Sequence, residues 1–236
     1  MRNRHAFAIV VMFAAAITLT GCIAGWGPAA SPTPSPTTEA TPTPTPTPTP
    51  PVAASVAVSA EAIAVLDATG AAIVSFDYFQ PTAEVVAGLT QFLGAPVDSP
   101  NPGSIESPPG VDHVWGDLRL YDTDPPGAAP EDPNHFVFVE GPSAGPLPVA
   151  TAPGIGSATG VRVGDPVSSM IIGVELSASS TDPGTGVTTE VHRIGIVPLP
   201  PRPDSAIERN LGVMVVSHSD TGLVDRLVAP SANYGV

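Results

Sequence analysis

Between Pro28 and Pro51, ten of 24 residues are proline, and threonine and proline alternate strictly from Thr41 to Pro50. Each proline holds φ near about −65° and removes a backbone donor, so neither a helix nor a sheet ladder can run through this stretch. Its low-energy form is polyproline II, at about 3.1 Å per residue, which predicts a semi-rigid stalk reaching about 74 Å when extended. Such Thr/Pro stalks are also candidates for O-glycosylation. Anything that packs a core must lie to either side of it.

On the N-terminal side, Met1-Arg2-Asn3-Arg4-His5 is a basic head, and Ala6 to Leu19 is apolar except for Thr18. As a helix that run spans about 21 Å, short of the ~30 Å hydrocarbon layer, so it reads as a secretory signal and not as a permanent span. It ends in Leu19-Thr20-Gly21-Cys22, which contains the only cysteine of the chain. This tetrad resembles the lipobox of bacterial lipoproteins. The resemblance implies removal of residues 1–21, acyl chains such as palmitate on Cys22, and a membrane anchor on the extracytoplasmic face. A diacylglyceryl group supplies the two chains that stable anchoring needs. Cleavage leaves six basic against 22 acidic residues, a net charge of −16, which opposes adhesion to anionic lipid without the acyl chains. The order of lipobox, Thr/Pro stalk and compact domain is similar to that of actinobacterial lipoproteins.

The charge balance removes several functions. The chain has 236 residues, with eight Lys+Arg against 22 Asp+Glu, and all eight basic residues are arginine. Without lysine there is no Walker-A loop, Schiff base or Ser–Lys dyad, and a net charge of −14 argues against nucleic acid as a partner. One cysteine rules out an intrachain disulfide and any cysteine-based zinc site, and no cofactor is implied.

Residues 52–236 are long enough to bury a core without staples. Ala62–Leu66 and Ala72–Phe79, separated by Asp67-Ala68-Thr69-Gly70, read as a hairpin with glycine where the turn needs positive φ. Pro81 opens a helix whose apolar stripe is Val85, Val86, Leu89, Phe92 and Leu93, stopped by Gly94 and Pro96. Ala95–Asp112 reads as a loop, and Val114–Tyr121 and Phe136–Glu140 as strands.

The second half echoes this order. Asp165-Pro166 looks like a helix start followed by the stripe Val167, Met170, Ile171 and Val174; an offset of 85 aligns it with the first helix, and an offset of 77 aligns Phe136–Glu140 with Val213–Ser217. These matches predict an α+β fold of two tandem strand–helix–three-strand repeats, about 71–153 and 154–230, with helices packed on antiparallel sheet. In layout this resembles the tandem helix-on-sheet repeats of β-lactamase-inhibitor-like and outer-membrane-assembly lipoproteins.

Catalytic motifs fail on context. Gly141-Pro142-Ser143-Ala144-Gly145 matches G-x-S-x-G, yet Pro146 and Pro148 deny it the helix that a nucleophile elbow needs, so a turn is expected. Ser217-His218-Ser219-Asp220 puts neighbours on opposite faces of a strand, and Gly154–Gly160 is followed by a strand-like Val161-Arg162-Val163 where a dinucleotide fold needs a helix. That glycine-rich segment is expected to be a flexible joint between the repeats. Among the acidic residues and histidines between Asp112 and His135, Asp122, Asp124 and Asp132 are candidate calcium ligands, although no EF-hand spacing is present. Trp115, Arg119 and Tyr121 alternate along one predicted strand, a strip of the kind used in recognition. The expectation is a non-catalytic module binding an envelope protein, peptide or glycan. A hydrolase using carboxylates of the acidic loop and a structural envelope component are the alternatives.

Overall fold

Alternating apolar and polar residues with many Val, Ile and Phe make most of the body strand-forming. In the computed structural model the described residues are 51–104, 107–123, 132–170, 174–200 and 208–233, all within one compact unit, Pro48–Val236. Cys22, the lipobox and the stalk up to Pro50 lie outside them.

β1 (Ala53–Val58), β2 (Ala62–Asp67) and β3 (Ala72–Asp77) form an antiparallel meander. The turn between β2 and β3 is the expected one: Gly70 has φ 84° and its N–H donates to the Asp67 carbonyl at 3.0 Å. Next come α1 (Thr82–Leu93), β4 (Val97–Asn101), β5 (Gly110–Asp122), β6 (His135–Ala144) and β7 (Leu147–Thr151). The second half supplies β8 (Glu175–Thr181), β9 (Thr188–Pro198), β10 (Asn210–His218) and β11 (Val224–Asn233). Eleven strands join in one mixed sheet whose main order is β3-β2-β1-β7-β6-β11-β10-β9-β8, with β5 on the other edge of β6 and β4 on β5. Among the described strands β1 and β7 alone run parallel, and the other pairs are antiparallel.

One apolar core serves the whole body. Val85, Leu89 and Leu93 of α1 are buried with Tyr78, Trp115, Leu118, Leu120, Val137, Val139, Val215 and Leu227. Each fully buried side chain of this size stabilises the fold by roughly 1.5–3 kcal/mol relative to exposure. Gly88 lies under the Phe76 ring, which sets α1 close against β3.

The expected α+β repeat is not formed. The body is mostly β, and α1 is the one α-helix among the described residues. After Asp165-Pro166 the chain makes a single 3₁₀ turn, Val167–Ser169, and is extended again at Met170 (φ −78°, ψ 112°). Ile171 and Gly173 lie outside the described residues, and β8 follows at Glu175. Long-range pairing overrides the helical stripe here: the Val167 N–H donates to the Gly222 carbonyl (3.0 Å), the Val224 N–H to the Asp165 carbonyl (2.9 Å), and Pro166 bridges Leu223. Asp165 caps no helix; its carboxylate accepts from the Arg162 N–H at 2.8 Å. Phe136–Glu140 and Val213–Ser217 do both lie in strands, β6 and β10, each the third of four consecutive antiparallel strands. The helix half has no second copy, and the layout shared with tandem helix-on-sheet lipoproteins falls with it. Val97–Asn101, expected within a loop, is β4.

Candidate functional site

Cross-strand register partners share a face of a sheet. Tracing register from β5 to β9 joins Arg119 to Phe138, Phe138 to Val228, Val228 to Met214, and Met214 to Arg193. A second row joins Arg226 to Val216 and Val216 to Val191, while Tyr121 pairs with Phe136. These residues occupy the outer face; Leu118, Val137, Val139, Leu227 and Val215 occupy the core face. Three of the five described arginines, Arg119, Arg193 and Arg226, thus stand on one face among Tyr121, Phe136 and Phe138.

Their environments differ. The Arg119 guanidinium stacks 3.9 Å from the centre of the Phe138 ring and pairs with Asp112 at 3.1 Å and Glu140 at 3.4 Å. Stacking and bidentate geometry are where arginine outperforms lysine. Arg193 donates to Asn210 Oδ1 at 2.6 Å and the Ser231 carbonyl at 2.9 Å. Arg226 makes no ion pair among the described residues, and its Nε is shielded from solvent without a hydrogen-bond partner.

The predicted strip Trp115–Arg119–Tyr121 is split by a β-bulge. Gly116 has φ 60°, and the register slips between Gly116 and Leu118. One extra residue reverses the side-chain alternation. Trp115 therefore joins Leu118 and Leu120 in the core, where its Nε1 donates to the Gly94 carbonyl at 2.8 Å. Arg119 and Tyr121 stay on the outer face. Tyr121 is nearly buried, with its hydroxyl on the Pro108 carbonyl; burial, aided by Asp112, raises its pKa above the usual tyrosine range, with Arg119 opposing. The strand bends enough to bring Gly110 against the Asp122 carbonyl, which is how Asp112 reaches Arg119.

Of the candidate calcium ligands, Asp122 ends β5 opposite His135, Asp132 lies 3.7 Å from Arg209, and Asp124 falls outside the described residues. Among the described residues no three His, Cys, Asp or Glu side chains are grouped as a metal would need. Ser143 of the G-x-S-x-G match lies in β6 and is tied to a carboxylate: Asp117 Oδ2 accepts from its N–H (3.2 Å) and its hydroxyl (2.7 Å). Ser219 Oγ accepts from the Thr188 N–H at 2.8 Å, and Asp220 accepts from the Thr221 N–H at 3.0 Å, so that motif serves the β10–β11 turn. Gly154–Gly160, expected as a flexible joint, is a hydrogen-bonded loop: Gly154 N–H donates to the Ser157 carbonyl (2.9 Å), and Ile155 packs on the core.

Sequence reading missed Phe136, Phe138, Arg193 and Arg226 as companions of Arg119. The period-2 spacing of Phe136/Phe138, Val191/Arg193 and Arg226/Val228 was the available signal, but it does not say which strands are neighbours. No protein-family model matches the chain, nor does any curated protein or solved structure.

Proposed function

We propose that the protein is a lipid-anchored, extracytoplasmic envelope protein whose β-rich body is a non-catalytic interaction module, binding an envelope protein, peptide or glycan through its outer sheet face. One observation supports the binding reading above all. In a chain of net charge −14, three of five described arginines gather with aromatic rings on one face, and among the described residues Arg226 makes no ion pair and leaves its shielded Nε without a hydrogen-bond partner. Arginine and aromatic side chains are the types enriched where surfaces bind. The anchor reading is supported by the sequence Leu19-Thr20-Gly21-Cys22 after an apolar run, followed by the stalk.

Photo-crosslinking tests the face. Phe138→p-benzoylphenylalanine in the full-length protein on cells is expected to give a discrete adduct that Arg226→Glu abolishes; no adduct, or one indifferent to Arg226→Glu, would contradict it. Metabolic labelling with palmitate tests the anchor, and equal labelling of wild type and Cys22→Ser would overturn it.

A further inference from the structure

His135, the first residue of β6, is fully buried, and neither of its ring nitrogens has a hydrogen-bond partner among the described residues. Buried polar groups are nearly always bonded, so a doubly orphaned imidazole is an exception that needs a reason. Its ring lies 5.5 Å from that of Tyr78, whose hydroxyl is turned away to the Ser59 carbonyl at 3.0 Å. The charged groups that act on it are Asp122 from β5 and Asp77 from β3; Glu84, the one acid in the first turn of α1, is exposed.

The residue before it is a knot. The Asn134 carbonyl accepts from the Thr123 N–H (3.0 Å), the Thr123 hydroxyl (2.9 Å) and the Thr82 hydroxyl (3.3 Å). Its own N–H donates to the Tyr78 carbonyl (2.8 Å), and its side-chain amide to the carbonyls of Phe79 (2.8 Å) and Gln80 (3.1 Å). One residue thus holds together the β3–α1 turn, the first residue of α1 and the end of β5, and it is covalently joined to the orphaned imidazole.

We infer that His135 is an acid-operated latch: on taking a proton its ring leaves the core, and the Asn134 knot opens, freeing the start of α1 while the rest of the sheet stays folded. An imidazolium in this pocket has no acceptor for either N–H, and burying an unpaired charge is strongly unfavourable. Burial lowers the His135 pKa from 6.5 to about 4, with Asp122 and Asp77 pulling the other way. The sign follows from linkage. A histidine depressed in the closed state favours closure fully above its ordinary pKa, and closure weakens by about tenfold per pH unit as pH falls from there towards the depressed value.

Hydrogen exchange of the full-length protein at pH 7 and pH 4.5, corrected for intrinsic rates, reads this directly. The expected result is at least about tenfold faster exchange at pH 4.5 within Asp77–Thr82 and at Asn134, without the same change in β10. His135→Phe, which fills the ring's space without titrating, is expected to remove the acid response. Equal acceleration in both proteins would overturn the inference. NMR titration of His135 in the wild type decides the matter independently of any variant: an ordinary midpoint near 6.5 with the corner still closed would also overturn it.

Discussion

Trp115 Nε1 donates to the carbonyl of Gly94 at 2.8 Å, so the residue just before the β5 bulge is bonded to the residue that ends α1. This bond closes the C-terminal end of the only described helix onto the sheet. Trp115→Phe keeps most of the apolar contact but strands that carbonyl and is expected to cost about 1–2 kcal/mol. Trp115→Ala is expected to cost about 3–5 kcal/mol. Denaturant unfolding checks both, and a Phe variant indistinguishable from wild type would show the bond to be idle.

Ser143 is a strut. Asp117→Ala removes the acceptor of its N–H and hydroxyl together and is expected to destabilise by about 1–3 kcal/mol, with Ser143→Ala costing less, about 1 kcal/mol. A fluorophosphonate serine probe is expected to leave the wild type unlabelled. Labelling abolished by Ser143→Ala would restore the nucleophile reading.

Asp67 couples the β2–β3 turn to pH. Its carboxylate accepts from the Thr69 hydroxyl (2.6 Å) and the N–H groups of Thr69 (2.8 Å) and Ala71 (3.0 Å). Led by the Thr69 hydroxyl, these bonds hold its pKa below the usual 3.8. A depressed carboxylate contributes stability that is present above its unfolded pKa and lost as pH falls through the folded one. The turn is therefore expected to loosen only under strong acid, at lower pH than the His135 corner. Side-chain NMR titration of Asp67 checks the direction, and a midpoint above 3.8 would contradict it.

Arg226 keeps a shielded Nε unbonded among the described residues, which carries a cost. Arg226→Met is therefore expected to leave stability unchanged or raise it by about 1 kcal/mol. The same variant is expected to weaken partner crosslinking at position 138. A residue kept at some expense to stability and needed for binding is what a functional position looks like. A large loss of stability would instead make Arg226 a structural residue.

What could be read from the sequence was local. The Asp67–Gly70 turn, α1 from Pro81 to Gly94 and the strand character of Phe136–Glu140 all follow from glycine, proline and apolar spacing within a dozen residues. What misled was also local. Val167, Met170 and Val174 are spaced as on a helix, yet backbone bonds that tie Asp165 to Val224 and Val167 to Gly222, more than fifty residues away, leave room for only a single 3₁₀ turn before the chain is extended again at Met170. The candidate site failed in the same way. Gly116 inserts one residue into the alternation and carries Trp115 to the other face, and Arg119 acquires Arg193 and Arg226 as companions only through strand neighbours that no short window can reveal.

Hydroxyl-radical footprinting of the full-length protein, once on intact cells and once purified in detergent, puts the central claim to its most direct test. Phe136, Phe138 and Met214, which are only partly buried, are expected to lose reactivity on cells while exposed Leu223 and Ile196 react as before. Uniform reactivity in both states, or protection at Leu223 and Ile196 with none on the outer face, would contradict it.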